Sequence, residues 1–309
     1  MTPAVALAAP LRAAFGRVTV RGAHAMEMDA MFGDRALADL LDNFPRDRLH
    51  ALNMGTDPAR SGDNRLALHD GVSGAELLRA VRYGRLWLNV TRVDRADARY
   101  RDLIDALYAD LGTQVPGFHA ESSQGTLLIS SPGALVYYHA DGPASVLWHL
   151  RGRKRVWVYP ALDPRYMKRE LLEDIMAGVR HEYLPYEPAF DEAAQVYDLE
   201  PGQWIAWPQN APHRVTNLDC LNVSLSTEHF TRASRQRARV YVANRFFRAR
   251  LGWGTLSARE DGAAALAKTV THRIARRLGL DPVQFKRHAP ALRVAADAPG
   301  GVLPLDTAP

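Results

Sequence analysis

Residues 126–227 form a series of short segments rich in β-branched and aromatic residues, and glycine or proline separates most of them. Many short strands at close spacing, with turn signals between them, are typical of a β-sandwich or barrel. The segments span residues 126–130, 134–141, 146–150, 154–159, 195–199, 204–207 and 221–227. The turn pairs between them include Pro132-Gly133, Gly142-Pro143 and Pro201-Gly202.

Helical patterns flank and interrupt this series. Apolar residues recur at helical spacing over residues 35–44, 75–82, 98–111, 165–176, 232–251 and 263–278, whereas residues 85–93 alternate as in a strand. We therefore expect a mainly β core with flanking helices. The predicted divisions are an N-terminal α/β extension (1–120), the β core (121–230), a C-terminal helical region that could support dimerisation (231–290) and a flexible tail (291–309).

Composition excludes several classes of protein. The chain has 309 residues, of which 47% are hydrophobic and 24% charged, as in ordinary globular proteins. Its single cysteine, Cys220, excludes a disulfide framework and a cysteine-based zinc cluster. No apolar run approaches the roughly 20 residues that span a bilayer. The opening stretch lacks the basic region of a signal peptide, so we expect a cytoplasmic protein.

A His-x-Asp pair stands at the end of the second predicted strand. Residues i and i+2 of a strand point to the same face, so His139 and Asp141 would project together. A second histidine, His213, follows an aromatic strand and a proline-bounded loop. Two imidazoles and one carboxylate are the ligands of non-haem iron(II) oxygenases. A lone His-x-Asp pair also fits a surface turn, and the surrounding sequence decides between these interpretations.

The sequence after the pair reads SVLWHLRGRKRVWVYP over residues 145–160, and PGQWIAWPQNAPHRV spans residues 201–215. With the His-x-Asp pair, these motifs resemble the jumonji (JmjC)-type, hydroxylase-like branch of the cupin-fold Fe(II)/2-oxoglutarate-dependent oxygenases. The resemblance covers roughly residues 123–230. It implies a double-stranded β-helix (cupin or jelly roll) and a dioxygenase reaction that releases succinate and CO2.

The resemblance also implies site residues. His139, Asp141 and His213 would ligate Fe(II), with no catalytic residue beyond this metal centre. Lys154, one of only four lysines, occupies the position whose ammonium pairs with the 5-carboxylate of the cosubstrate, 2-oxoglutarate. A buried dicarboxylate needs such a cation, because an unpaired buried charge is costly. The alternative is a solvated lysine within the basic run 151–155.

Three further residues are expected near the cosubstrate. Asn222 begins a strand face that also carries Ser224 and Ser226, and Tyr137 is in phase with His139. Ser145 departs from the family pattern, because some relatives carry an amide side chain there. This departure leaves cosubstrate orientation open.

The substrate is open between a protein or peptide side chain and a small molecule. The predicted insertion 163–192 carries aromatic and acidic residues, among them Glu182, which favour a basic peptide. A non-catalytic metal- or ligand-binding cupin, acting as a sensor, is the alternative function.

The arginines of the segment Arg232–Leu251 suggest a third function, nucleic-acid binding. They scatter around the helix axis, so we favour a partly buried helix with a solvated basic side. Phe246 and Phe247 would then form a dimer or domain contact. We expect a homodimer, and neither a membrane nor a nucleic-acid partner.

Overall fold

The structure, a computed structural model, describes residues 5–254, 256–281 and 289–305. Its strands are β1 Val5–Ala6, β2 Val20–His24, β3 Leu49–Asn53, β4 Arg65–Leu68, β5 Leu86–Thr91, β6 Ser122–Ser130, β7 Leu135–His139, β8 Ala144–Arg151, β9 Lys154–Val158, β10 Gln195–Leu199, β11 Gln203–Ala206, β12 His213–Asn217, β13 Asn222–Phe230, β14 Leu292–Val294 and β15 Val302–Pro304. Its α-helices are α1 Ala9–Arg12, α2 Asp34–Asn43, α3 Gly74–Tyr83, α4 Val93–Ala96, α5 Ala98–Gln114, α6 Arg169–Met176, α7 Arg232–Leu251 and α8 Gly262–Arg277.

The strands form two sheets. The larger runs in the order β1-β2-β11-β8-β13-β6-β5-β3-β4-β14-β15, and the smaller in the order β10-β9-β12-β7. From β6 to β13 the chain passes repeatedly between the two sheets. A buried apolar cluster joins residues of both, including Leu147 and Ile205 of the larger and Val156 and Val215 of the smaller. The sheets therefore pack face to face, which confirms the mainly β core with flanking helices.

The N-terminal region continues the larger sheet. Strand β5 pairs antiparallel with β6, so the predicted boundary near residue 120 does not separate two sheets. Helix α5 begins after Asp97, whose side chain caps it by accepting from the Arg99 N–H. Its buried face contains Tyr100, Ile104, Leu107 and Leu111, as the helical spacing predicts. Among the described residues, no helix combines the length and the apolar character needed to cross a membrane.

Aromatic and charged side chains of α7 find partners within the chain. Phe246 and Phe247 are buried and pack together near Ala275 of α8, so they are not exposed to form a dimer contact. Several α7 arginines form ion pairs inside the chain: Arg235 with Glu121, Arg237 with Glu260, Arg245 with Asp281, and Arg248 with Glu173. The homodimer stays a prediction, and its interface would have to use a surface other than Phe246 and Phe247.

Two segments differ from the expectations. The predicted strands leave out residues 208–220, but His213 begins strand β12, which lies between β9 and β7. The expected flexible tail contains β14, parallel to β4, and β15, antiparallel to β14. Leu292 and Val294 alternate into the core and supply the apolar burial that orders this segment. Residues 282–288 and 306–309 of the predicted C-terminal regions lie outside the described residues.

The C-terminal hairpin gives a stability prediction. Leu292 is 9% exposed and Leu303, on the paired strand, is 37% exposed. We expect Leu292→Ala to lower the free energy of unfolding by about 2 kcal/mol, because it leaves a cavity in the core. The control Leu303→Ala should change it by about 0.5 kcal/mol or less. Urea denaturation measures both, and equal effects would contradict the docking of this segment.

Candidate metal centre

The two histidines meet because their strands are neighbours. His139 ends β7 and His213 begins β12, and the antiparallel register places them directly opposite each other. A β-bulge between His213 and Val215 shifts the register after this pair. Bulges next to active sites re-aim side chains. Asp141 follows His139 by two residues, in the turn that leads to β8.

The three side chains converge. The His139 Nε2–Asp141 Oδ1 distance is 3.6 Å, the His213 Nε2–Asp141 Oδ2 distance is 3.7 Å, and the two ring centroids are 4.0 Å apart. One ligand atom from each residue lies within 4.8 Å of the others. This is the single such group of His, Cys, Asp or Glu side chains among the residues that the structure describes. The donor set fits an iron(II)-type facial triad.

Both imidazoles present the same nitrogen to the centre. His139 Nδ1 lies 2.7 Å from the Tyr137 carbonyl oxygen, and His213 Nδ1 lies 3.1 Å from that of Ala211. A carbonyl only accepts, so each Nδ1 carries the proton and each Nε2 keeps its lone pair. Burial also lowers the pKa of His213 to about 4. The ring is therefore neutral at pH 7, as metal ligation requires.

Ser145 lies beside the carboxylate. Its Oγ donates to Asp141 Oδ2 at 2.6 Å, and the residue is buried. Tyr137 is also fully buried, and its hydroxyl accepts from the Gly55 N–H at 2.9 Å. Ser145 thus supports a ligand, and Tyr137 ties an N-terminal loop to β7. Their predicted roles at the cosubstrate stay predictions.

Lys154 is buried without a counter-charge. Its side chain lies at the start of β9, the residue is 4% exposed, and burial lowers the pKa of its ammonium to about 7. Among the described residues it has no hydrogen-bond acceptor and no carboxylate partner. A buried, unpaired cation is costly, and a bound anion would remove that cost. The alternative of a solvated lysine is wrong for this side chain.

Polar groups surround this end of the core. His149 lies 3.0 Å from Ser224 Oγ through Nδ1 and 2.8 Å from the Gly152 carbonyl oxygen through Nε2. Burial, followed by the charge of Lys154, lowers the pKa of His149 to about 3. Asn222 is fully buried, and its Oδ1 has no partner among the described residues. An orphaned buried acceptor is expected where a ligand or water completes the site.

Two further acids lie near the metal ligands. Glu182 belongs to a segment hydrogen-bonded to the end of β7, where the Ala140 N–H donates to its carbonyl oxygen at 3.2 Å. Its side chain is exposed, whereas that of Glu228, on β13 opposite Ser145, is half-buried. The carboxyl group of Glu182 is nonetheless desolvated, and desolvation followed by the charge of Asp141 raises the pKa of both carboxyl groups. Sequence analysis named Glu182 but missed Glu228, which continues the polar face of Asn222 and Ser224 by two-residue steps.

Arg214 is a second residue that the sequence analysis missed. It is buried, its guanidinium lies 3.5 Å from the centroid of the Trp157 ring, and it pairs with Asp191. Since Asp191 belongs to the insertion after α6, this ion pair fastens the insertion beside His213. The available signal was an arginine directly after the predicted metal ligand His213.

The buried imidazole of His149 gives a pH prediction. The denatured chain protonates it near pH 6.5 but the folded chain does not, so its contribution to stability is lost as the pH falls below 6.5. The raised pKa of Glu182 makes the folded chain more stable as the pH falls, which is the opposite of the effect of His149. The test therefore compares how steeply the unfolding free energy of each variant changes with pH. In chelator, the loss of unfolding free energy between pH 7.5 and 5.5 should be about 1 kcal/mol smaller in His149→Gln than in the wild type. The exposed control His119→Gln should match the wild type; an unchanged slope in His149→Gln would contradict this assignment.

The comparisons with known proteins give a fold. No protein-family model and no curated protein sequence matches the chain. Among solved structures, Escherichia coli ycfD is 17% identical, with 89% of this chain and 69% of that chain covered and a TM-score of 0.53. A second structure, the Escherichia coli ribosomal oxygenase YcfD, is 15% identical over 96% and 76% of the two chains (TM-score 0.48). A third holds YcfD with cobalt and 2-oxoglutarate, at 15% identity over 86% and 68% (TM-score 0.43). The chain therefore shares its fold with Escherichia coli ycfD.

Proposed function

We propose that this protein is an Fe(II)- and 2-oxoglutarate-dependent oxygenase that hydroxylates its substrate and releases succinate and CO2. The observation that carries the proposal is the convergence of His139, Asp141 and His213 in the same core as the buried, unpaired Lys154. A metal site alone would fit a non-catalytic cupin. A cation with no counter-charge in that core favours a bound anionic cosubstrate as well.

The strand order supports the finer assignment of the fold. Strands β11-β8-β13-β6 of the larger sheet face β10-β9-β12-β7 of the smaller sheet. Two four-stranded sheets between which the chain alternates are the arrangement of a jelly roll. We therefore propose a double-stranded β-helix whose larger sheet is extended at both ends. YcfD, whose fold this chain shares, has been solved with cobalt and 2-oxoglutarate, which is consistent with the proposal.

Different residues of the chain would bind the metal and the cosubstrate. Two neutral Nε2 atoms and the Asp141 carboxylate would hold the metal, and Ser145 keeps that carboxylate in place through its hydroxyl. Lys154 would neutralise the far carboxylate of 2-oxoglutarate within the apolar core. When bound, the iron would supply the redox chemistry that couples oxidative decarboxylation of 2-oxoglutarate to substrate hydroxylation.

Two acidic residues near Asp141 favour one substrate class. Desolvation, followed by the charge of Asp141, raises the pKa of Glu182 and Glu228, so each of these acids disfavours the ionised form of the others. A positively charged group would relieve this repulsion. We therefore propose that the hydroxylated side chain belongs to a basic protein or peptide, with a basic small molecule as the alternative.

Turnover tests the proposal directly. Purified protein with Fe(II), ascorbate and 2-oxoglutarate should release succinate, and lysine- or arginine-rich peptides should increase the rate where acidic peptides do not. His139→Ala should abolish release, because it removes a metal ligand. Metal binding without succinate release under any of these conditions would instead assign the chain to the non-catalytic cupins.

Lys154 separates cosubstrate binding from metal binding. Lys154→Ala should weaken 2-oxoglutarate binding by about tenfold to hundredfold, the range for a lost hydrogen bond to a charged group. Co(II) affinity, measured by absorption titration, should stay within about twofold of the wild type because the ligands are retained. The exposed Lys168→Ala is the matched control. Equal 2-oxoglutarate affinity in all three proteins would remove Lys154 from the site.

A further inference from the structure

Asp141 is the one ligand of the triad outside the strand ladder. Strand β7 ends at His139 and β8 begins at Ala144, so residues 140–143 form a connection between them. The backbones of His139 and His213 are held by pairing between β7 and β12, whereas the Asp141 carbonyl lies beyond that pairing. Another contact must therefore fix the backbone that carries the carboxylate.

Two buried amide side chains make that contact. Asn210 Nδ2 donates to the Asp141 carbonyl oxygen at 2.7 Å and to that of Gly142 at 3.1 Å. Gln209 Nε2 donates to the same Gly142 oxygen at 2.9 Å and to the Ser234 carbonyl oxygen in α7 at 3.3 Å. Asn210 and Gln209, hereafter the amide clamp, lie in the loop that leads into His213. The clamp therefore connects the two segments that carry metal ligands.

The backbone of Asn210 is adapted to this task. Its φ angle is 65°, in the left-handed region that asparagine adopts more readily than most other residues apart from glycine. This conformation accompanies a side chain that is 1% exposed and reaches the Asp141 turn. A residue without a short amide side chain could keep either the backbone conformation or the contact, but not both.

The clamp contributes less to stability than its four hydrogen bonds suggest. The Asn210 Oδ1 and Gln209 Oε1 atoms are both buried without a partner among the described residues. Buried acceptors that lose their water carry a desolvation cost, which offsets the gain from the donated bonds. Such a feature is better explained by the geometry that it holds than by the stability that it adds.

We propose that Asn210 and Gln209 are positioning residues that fix the Asp141 carboxylate relative to His213, an inference that rests on the metal site proposed above. Neither residue belongs to the group of three side chains that could hold the metal. Ser145 orients the carboxylate from its own side chain, while the amide clamp holds the main chain beneath it. Loss of the clamp should misplace one ligand and leave both histidines paired.

Co(II) binding to the metal-free protein tests this inference. Asn210→Gly keeps the positive φ but removes both donated bonds, and Asn210→Ala adds backbone strain to the same loss. We expect Asn210→Gly to weaken Co(II) affinity by about tenfold to hundredfold, the range for lost partners of metal ligands. Its visible Co(II) spectrum should also change, because the coordination geometry changes. Gln209→Ala should give a smaller effect in the same direction.

The control is Asn43→Ala, which removes an amide-to-carbonyl hydrogen bond at the exposed end of α2. It should leave Co(II) affinity and spectrum unchanged, and the thermal midpoint of metal-free Asn210→Gly should lie within a few degrees of this control. Wild-type affinity and spectrum in Asn210→Gly would overturn the inference while the metal site stands. Absence of Co(II) binding by the wild type would overturn the metal site and the inference together.

Discussion

The antiparallel pairing of β7 with β12 is the interaction on which the rest of the site depends. It places His139 opposite His213, with ring centroids 4.0 Å apart, although 73 residues of sequence separate them. Because side chains alternate across a strand, a shift of one residue in this register would turn one imidazole to the opposite face. The bulge that follows the pair re-aims the strand only after the histidine has been placed.

Charge is distributed unevenly around this pairing. An unpaired lysine lies in the core at the start of β9, and the acidic residues Glu182 and Glu228 lie close enough to Asp141 to be affected by its charge. Both arrangements are unfavourable in the isolated chain, since burial penalises an uncompensated charge and like charges repel. A bound anion would compensate the first and a bound cation the second. The electrostatics of the folded chain are thus consistent with an anionic cosubstrate and a basic substrate.

Much of the core could be predicted from local pattern. Apart from β12, the strands of residues 126–227 and the helices α5 and α7 follow from alternation, helical spacing and turn residues, because these elements bury one face. The short strands β1–β4 and the hairpin β14–β15 could not be predicted in this way. They hold only a few apolar residues each, and their stability comes from strands that are distant in sequence. For the aromatic pair Phe246-Phe247, the sequence left a dimer and a domain contact open for the same reason, since periodicity does not reveal which surface covers the pair.

By itself, the sequence determined which functional groups are available. These are two imidazoles, one carboxylate two residues after the first imidazole, and a rare lysine in a basic strand. Only the tertiary structure decided how these groups behave. Strand register brought the three side chains together, backbone carbonyls set the imidazole tautomers, and burial lowered the pKa of Lys154. The tertiary structure also brought the Ser145 hydroxyl to the Asp141 carboxylate and the amide clamp to the Asp141 main-chain carbonyl. The physical reason is that protonation state and ligand geometry depend on neighbours in space, whereas a sequence specifies neighbours along the chain.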